Sequence, residues 1–216
     1  MFDGIDENRV LNMTDREKRW LDNIKKAFYE SDVALQSGTP EDRCLEELFK
    51  AIDTAKTLRR SLRGEDTSHY NNRDRFIEFL GLEIPCARPG SSGFKLRDTE
   101  SGTLREYTLG EIIYDIRCMI HENENLNAAE DVDYYILLDW SVRNPIYFAE
   151  VVNGRLLCNG FFLWNRLREV LSKFITGVES MISLAKQQSF CITIRPEIGA
   201  IRPFARGKKS RPKLKS

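Results

Sequence analysis

The chain has 216 residues, of which 41% are hydrophobic and 31% are charged, and its acidic and basic side chains are equal in number. This composition predicts one main globular core and excludes a chain that is too polar to fold. No apolar run approaches the length of a membrane span, and residues 1–8 lack an apolar signal region. We therefore expect a cytoplasmic protein that does not bind membranes.

The cysteines are scattered along the chain, odd in number and never spaced as C-x-x-C; they are Cys44, Cys86, Cys118, Cys158 and Cys191. This pattern argues against a zinc site and against a disulfide framework, and it fits a reducing compartment. The chain also lacks the glycine-rich motifs that bind nucleotides. The sequence thus predicts neither a metal nor a cofactor.

Charge is concentrated at the end of the chain. From residue 195 onward there are eight basic residues and a single acid, Glu197, so the rest of the chain is net acidic by seven charges. A basic segment rich in proline and glycine predicts a disordered tail, residues 195–216, that binds RNA or another polyanion. A solubilising tail is the alternative. The candidate nucleic-acid-binding residues are Arg206, Lys208, Lys209, Arg211, Lys213 and Lys215.

The first half of the chain predicts three helices. Thr14 and Glu17 form a capping box at the start of the first, over about 15–35. The second, over about 40–63, begins at a proline and would pair with the first as an antiparallel hairpin. Its basic end, 56–63, is either a solvated helix end or an RNA-binding patch. The third helix spans about 72–81, and residues 1–13 show no clear periodicity.

Residues 85–93 are rich in proline, glycine and serine and predict a mobile loop. Short β-like runs at 94–96 and 103–107 predict a small hairpin. A second capping box, Thr108 with Glu111, then opens an amphipathic helix over 108–122. Its apolar face is made of Leu109, Ile112, Ile113, Ile116 and Ile120.

The last part of the chain predicts strands followed by a long helix. Strands at 134–142, 146–152 and 155–158 would form an antiparallel sheet, with Asn153-Gly154 as a type I′ turn. Asn159 would cap a helix that reaches about residue 187, and 190–194 reads as one last strand. The predicted fold is α+β and mostly α. A single domain over 1–194 carries a β-hairpin insertion at about 134–158, before the last long helix.

The helix at 108–122 carries the best candidates for chemistry. Arg117 and His121 lie four residues apart, so they share one face, one turn from each other. Arginine holds phosphate and histidine moves protons near neutral pH, which are the two functions that metal-free RNA cleavage needs. The alternative is a local ion pair of Arg117 with Asp115, Glu122 or Glu124.

The string from Glu111 to Asn123, with Tyr114, Arg117 and His121 in a Tyr-x-x-Arg…His pattern, resembles the motif helix of HEPN-domain proteins. The resemblance implies a bundle of four or five helices that forms a homodimer. It also implies a metal-independent endoribonuclease of toxin or defence type, whose Arg and His come together from two protomers. Carried onto this chain, these catalytic roles fall on Arg117 and His121. The supporting residues are Tyr114, Asp115, Cys118, Glu122 and Asn123.

Other patterns leave further interpretations open. The acidic stretch from His121 to Asp133 could hold a hard divalent ion, although a solvated loop explains it as well. The aromatic residues at 134–148 could stack on bases or form the core of the sheet. Phe161 and Trp164 would pack on the sheet or line a dimer seam. A noncatalytic dimeric interaction or regulatory protein, using its tail to bind nucleic acid or an acidic partner, is the alternative function.

Overall fold

The computed structural model describes residues 4–37, 42–67, 72–91, 93–97, 102–122, 136–141, 143, 148–152 and 155–194. Helices dominate, as predicted. They are α1 (Glu7–Leu11), α2 (Asp15–Gln36), α3 (Asp42–Leu62), α4 (Asn72–Gly81), α5 (Leu109–Glu122) and α6 (Gly160–Ile194), with a 3₁₀ turn at Pro85–Ala87. The strands are β1 (Phe94–Arg97), β2 (Leu104–Tyr107), β3 (Ile136–Asp139), β4 (Ala149–Val152) and β5 (Arg155–Asn159).

Helix α3 lies at the centre of the core. It contacts α2, α4, α5 and α6, and its pairing with α2 confirms the predicted helical hairpin. Side chains around much of α3 are fully buried, including Leu45, Leu48, Phe49, Ile52 and Leu58. Because α3 is buried on several sides, its polar side chains can contact polar side chains of the helices around it. The site described below is formed in this way.

Both capping boxes form as predicted. At α2 the Glu17 backbone N–H donates to Thr14 Oγ1 at 3.2 Å, while the Thr14 N–H donates to Glu17 Oε2 at 2.7 Å. Asn159 caps α6, since its Oδ1 accepts from the Phe162 N–H at 2.9 Å. Each cap satisfies backbone donors that the first helical turn leaves without partners.

The described strands form two small sheets, and the second differs from the prediction. β1 and β2 form the expected antiparallel hairpin. β4 and β5 also pair antiparallel, with Val152 opposite Arg155, whereas the type of the turn between them falls outside the described residues. β3 pairs parallel with β5, so the strand order is β3-β5-β4 and this sheet is mixed rather than antiparallel.

One local prediction was wrong, and two further stretches differ from the simplest interpretation of their sequence. Residues 190–194 continue α6 as helix instead of forming a strand, because an established helix extends at little cost into a short β-branched run. Residues 7–11 are helical, with Asp6 as the N-cap and Val10 buried. The basic stretch at 56–63 is not simply a solvated helix end, since Lys56 and Arg59 are buried.

Phe161 and Trp164 both have packing partners within the chain. Trp164 donates its indole N–H to Ser31 on α2, and Phe161 is buried beneath the Trp140 ring at a centroid distance of 5.2 Å. These aromatic side chains therefore contribute to packing within the chain. No helix in the described part of the chain is both long and apolar enough to cross a membrane.

Candidate functional site

The side chain of Glu111 makes two contacts at the N-terminus of α5. Glu111 Oε2 accepts from the Thr108 backbone N–H at 2.8 Å, which completes the predicted capping box with Thr108 Oγ1. The other oxygen of Glu111 accepts from Arg73 Nη2 of α4 at 3.0 Å. The cap therefore fixes both where α5 begins and how it sits against α4.

Arg117 is bound to a carboxylate on a different helix. Its Nε and Nη2 donate to Asp53 Oδ2 on α3, at 2.9 and 2.7 Å. The side chains of Arg117 and Asp53 are only 16% and 25% exposed. The sequence pointed to acidic neighbours along α5, whereas this partner is 64 residues away in the chain.

Asp53 also binds a second cation. Lys56 Nζ lies 2.6 Å from Asp53 Oδ1 and hydrogen-bonds the side-chain oxygen of Asn72 on α4. Burial lowers the pKa of Lys56, an effect that Asp53 opposes and that the nearby guanidinium groups of Arg117 and Arg75 reinforce. Asp53 thus faces two largely buried cations, Lys56 and Arg117.

His121 lies one turn beyond Arg117 on α5. Its ring is near Phe49 of α3, with centroids 6.4 Å apart, and its Nε2 is buried without a hydrogen-bond partner among the described residues. Burial lowers the pKa of His121, and the positive charge of Arg117 lowers it further. The imidazole is therefore neutral near pH 7 and can accept a proton.

Two of the predicted supporting residues pack beside this cluster. The Tyr114 ring meets Phe76 edge-on at 5.6 Å, and the Arg117 guanidinium lies 5.5 Å from the Tyr114 ring centroid. The Cys118 sulfur is 3.9 Å from Arg117 Nη1. Burial raises the pKa of Tyr114, so its hydroxyl stays protonated at neutral pH. These residues shape the surroundings of Arg117 and limit the directions its guanidinium can take.

Of the remaining predicted residues, only Asp115 has a side chain that the structure describes. Asp115 is half-buried on α5. The side chain of Glu122, the whole of Asn123 and the rest of the acidic stretch up to residue 135 fall outside the described residues, as do all six basic residues of the tail. In the part of the chain that is described, no group of three or more His, Cys, Asp or Glu side chains is arranged to hold a metal ion.

Sequence reasoning missed Asp53 and Asn72, and it noted Lys56 only as part of the basic end of α3, without its partners. Their roles depend on three helices meeting, which spacing within one helix cannot reveal. One signal was available, because Asp53 and Lys56 stand beside the apolar positions Phe49 and Ile52 of α3. Charged residues on a buried stripe need partners, so they indicate an ion pair with another element.

The arrangement can bind one anionic group and accept one proton. Asp53 accepts from Nε and Nη2 of Arg117, and Nη1 has only the long contact to the Cys118 sulfur at 3.9 Å, so a ligand that displaces this contact can accept from Nη1. The two cations would attract a phosphate oxygen, and the neutral His121, one turn along α5, is a base whose buried Nε2 must be uncovered before it can meet a substrate. Comparisons with protein families, curated proteins and solved structures find no match.

Proposed function

We propose that this protein is a HEPN-like endoribonuclease that cleaves RNA without a metal ion, with Arg117 and His121 as its catalytic pair. The observation that carries the proposal is the cluster on α3 and α5. There Asp53 faces two cations, Lys56 and Arg117, near the neutral imidazole of His121. The mostly helical architecture and the position of the motif on α5 are compatible with a HEPN-like bundle.

In this proposal His121 takes the proton from a ribose 2′-hydroxyl. The resulting oxygen attacks the adjacent phosphorus, and the bond from phosphorus to the 5′ oxygen breaks. That oxygen takes up a proton from solvent as it leaves, and His121 then releases its own proton to solvent, so the products are a 2′,3′-cyclic phosphate and a 5′-hydroxyl. Arg117 Nη1 stabilises the negative charge that builds on the phosphate oxygens in the transition state. Asp53 orients the guanidinium for this task.

The proposal includes a homodimer, which the HEPN resemblance implies. In a dimer the two α5 helices would meet, and the Arg and His of both copies would share one RNA strand. The basic tail would hold the same strand through nonspecific phosphate contacts. Binding should therefore weaken steeply as the salt concentration rises, whereas the positions of cleavage should not change.

The test is cleavage of labelled single-stranded RNA by the purified protein in excess EDTA. We expect cleavage that survives EDTA, yields cyclic phosphate ends and is lost in His121→Ala. The matched control is His69→Ala, which replaces the other histidine of the chain. Arg117→Lys keeps the positive charge and should cleave more slowly, by roughly a hundredfold, because lysine lacks the planar fork. Equal activity in His121→Ala and the parent protein would disprove the site.

A noncatalytic interaction or regulatory role is the second candidate, and a specific observation favours it. Two of the donors of Arg117 are engaged by Asp53 and its side chain is largely buried, as in an ion pair that fastens α5 to α3. In this case the protein would bind RNA or an acidic partner through its tail and cleave nothing. RNA binding that persists in His121→Ala, without cleavage by either protein, would support this role.

A further inference from the structure

A cavity on a different part of the molecule has the size and lining of a ligand site. It measures about 440 Å³ and lies between α5, α6, the 3₁₀ turn and β1. Small-molecule sites in proteins typically measure roughly 300–1,000 Å³ and are mostly apolar with a few polar groups. We propose that this cavity binds an uncharged, largely apolar small molecule that contains an aromatic ring.

The walls of the cavity favour an aromatic ligand. The rings of Phe94, Phe148 and Phe162 form a connected series, with centroid distances of 6.5 and 6.0 Å. Aromatic rings gain energy from edge-on and tilted contacts with further rings, beyond the burial of apolar area. The other apolar wall residues are Ile84, Pro85, Leu109, Ile113, Leu163 and Val170.

The rim of the cavity argues against a charged ligand. Glu83 and Glu169 both accept from Lys173 Nζ, at 3.0 and 3.1 Å, and Glu169 also accepts from Arg166 at 2.9 Å. Each carboxylate on the rim already has a cation. A charged ligand would have to displace one of these ion pairs, whereas a neutral ligand leaves them intact.

This cavity is separate from the Arg117 and His121 cluster. It uses Leu109 and Ile113 in the first turns of α5, whereas the cluster occupies the later turns and faces α3. The ligand site therefore does not depend on the proposed cleavage of RNA. His121→Ala should bind the ligand as the parent protein does.

The first test compares two fluorescent probes that share one ring system. N-phenyl-1-naphthylamine is uncharged, and 8-anilinonaphthalene-1-sulfonate adds a sulfonate. We expect saturable binding of the uncharged probe at one site, with the anionic probe weaker by roughly tenfold or more, because the rim cations Arg166 and Lys173 are already paired with carboxylates and a sulfonate would have to displace one of these pairs. Equal or tighter binding of the anionic probe would overturn the ligand class, and no saturable binding of the uncharged probe would overturn the site.

The second test fills the cavity. Leu109→Trp should weaken binding of N-phenyl-1-naphthylamine by roughly tenfold or more, because the indole takes up the space of the ligand. The matched control is Leu184→Trp, at an exposed position of α6 that does not line the cavity. Equal affinity in Leu109→Trp and the control would show that the probe binds elsewhere.

A third measurement needs no substitution, so it holds even where Leu109→Trp fails to fold. Cys86 is exposed and lines the cavity, whereas Cys44 and Cys158 are buried. Saturating N-phenyl-1-naphthylamine should slow alkylation of Cys86 by iodoacetamide, read by mass spectrometry of its peptide. An unchanged rate at Cys86 would contradict the proposed position of the ligand.

Discussion

The carboxylate of Asp53 has a large effect on the stability of the region around Arg117 and Lys56. It is the shared partner of Arg117 and Lys56, and both cations are largely buried. Without it, two positive charges would face each other in a region that water reaches poorly. Such a residue carries more weight for stability than an exposed ion pair, whose attraction is screened by solvent.

We predict that Asp53→Asn lowers the free energy of unfolding by about 2 kcal/mol, because it removes charge-assisted hydrogen bonds to both cations. Urea denaturation followed by circular dichroism measures the change. Adding Lys56→Met to Asp53→Asn should recover part of the loss, since it removes the repulsion between the cations. The control is Glu179→Gln, whose exposed partner is Lys25; its cost should stay below about 1 kcal/mol. Equal losses in the control and in Asp53→Asn would contradict the prediction.

The second prediction at this scale concerns pH. The pKa of His121 is lowered from 6.5 by burial first and then by Arg117, with a smaller effect of Lys50, whereas Asp53 and Glu46 raise it. Below about pH 6.5 the unfolded chain therefore binds a proton that the folded chain resists. The stability that the neutral His121 contributes is complete above that pH and is lost as the pH falls.

Urea midpoints at about pH 7.5 and about pH 5.5 measure this effect. We expect the parent protein to lose stability between these values, and His121→Gln to lose less, because glutamine does not titrate. His69→Gln is the control and should behave as the parent protein does. A pH dependence in His121→Gln as large as that of the parent protein would assign the effect to other groups.

At the scale of elements, the start of α5 depends on a glycine. A Cβ at Gly110 would lie 2.3 Å from the Ala87 carbonyl oxygen of the 3₁₀ turn, and 2.8 Å from the Ile77 side chain of α4. A backbone oxygen cannot move aside as a flexible side chain can. The first turn of α5 and the 3₁₀ turn therefore lie too close together at this position for a side chain to fit between them.

We predict that Gly110→Ala costs about 2 kcal/mol of stability or more, although alanine is the better helix former. Thermal unfolding measures the cost. Gly90→Ala is the comparison, because Gly90 has a φ of +76° and no atom within 4 Å of the added Cβ. Its cost should be only the strain of a left-handed residue, about 1 kcal/mol. Gly110→Ala as stable as the parent protein would show that the contact relaxes easily.

Most helices could be predicted from the sequence because their information is local. Apolar spacing and capping residues such as Thr14 and Thr108 mark α2 and α5 within a few residues of their observed bounds. The parallel pairing of β3 with β5 could not be predicted, because alternating hydrophobicity indicates a strand but not which strand it pairs with. The partner of Arg117 was missed for the same reason, since Asp53 is distant in the chain.

At the scale of the whole molecule, polar contacts between side chains of different helices join α6 to α2 and α3. Ser31 of α2 is fully buried, donates to the Cys44 carbonyl oxygen of α3 at 2.7 Å, and accepts from Trp164 Nε1 of α6 at 2.9 Å. Arg168 of α6 binds both carboxylate oxygens of Asp32 on α2, at 2.8 Å each. These contacts hold α6 in one position against the α2–α3 hairpin.

We predict that Ser31→Ala destabilises the protein by about 2 kcal/mol, because the Trp164 N–H is left buried without an acceptor. Ser180→Ala is the control, since its hydroxyl also bonds a helix carbonyl but is exposed. Its effect should stay within about 0.5 kcal/mol. Chemical denaturation followed by far-ultraviolet circular dichroism compares the two. A loss in Ser31→Ala no larger than in Ser180→Ala would mean that the buried contact is dispensable.

The strand order β3-β5-β4 has a consequence for the order of folding. The paired residues Val152 and Arg155 are only three positions apart in the chain, so β4 and β5 can pair on the microsecond timescale. Ile136 must find Leu156, twenty positions away, and the entropy of closing that longer loop delays the pairing. Because β5 runs directly into α6, the hairpin and the long helix can grow as one nucleus. We therefore expect β3 to pair with β5 only after β4 has done so.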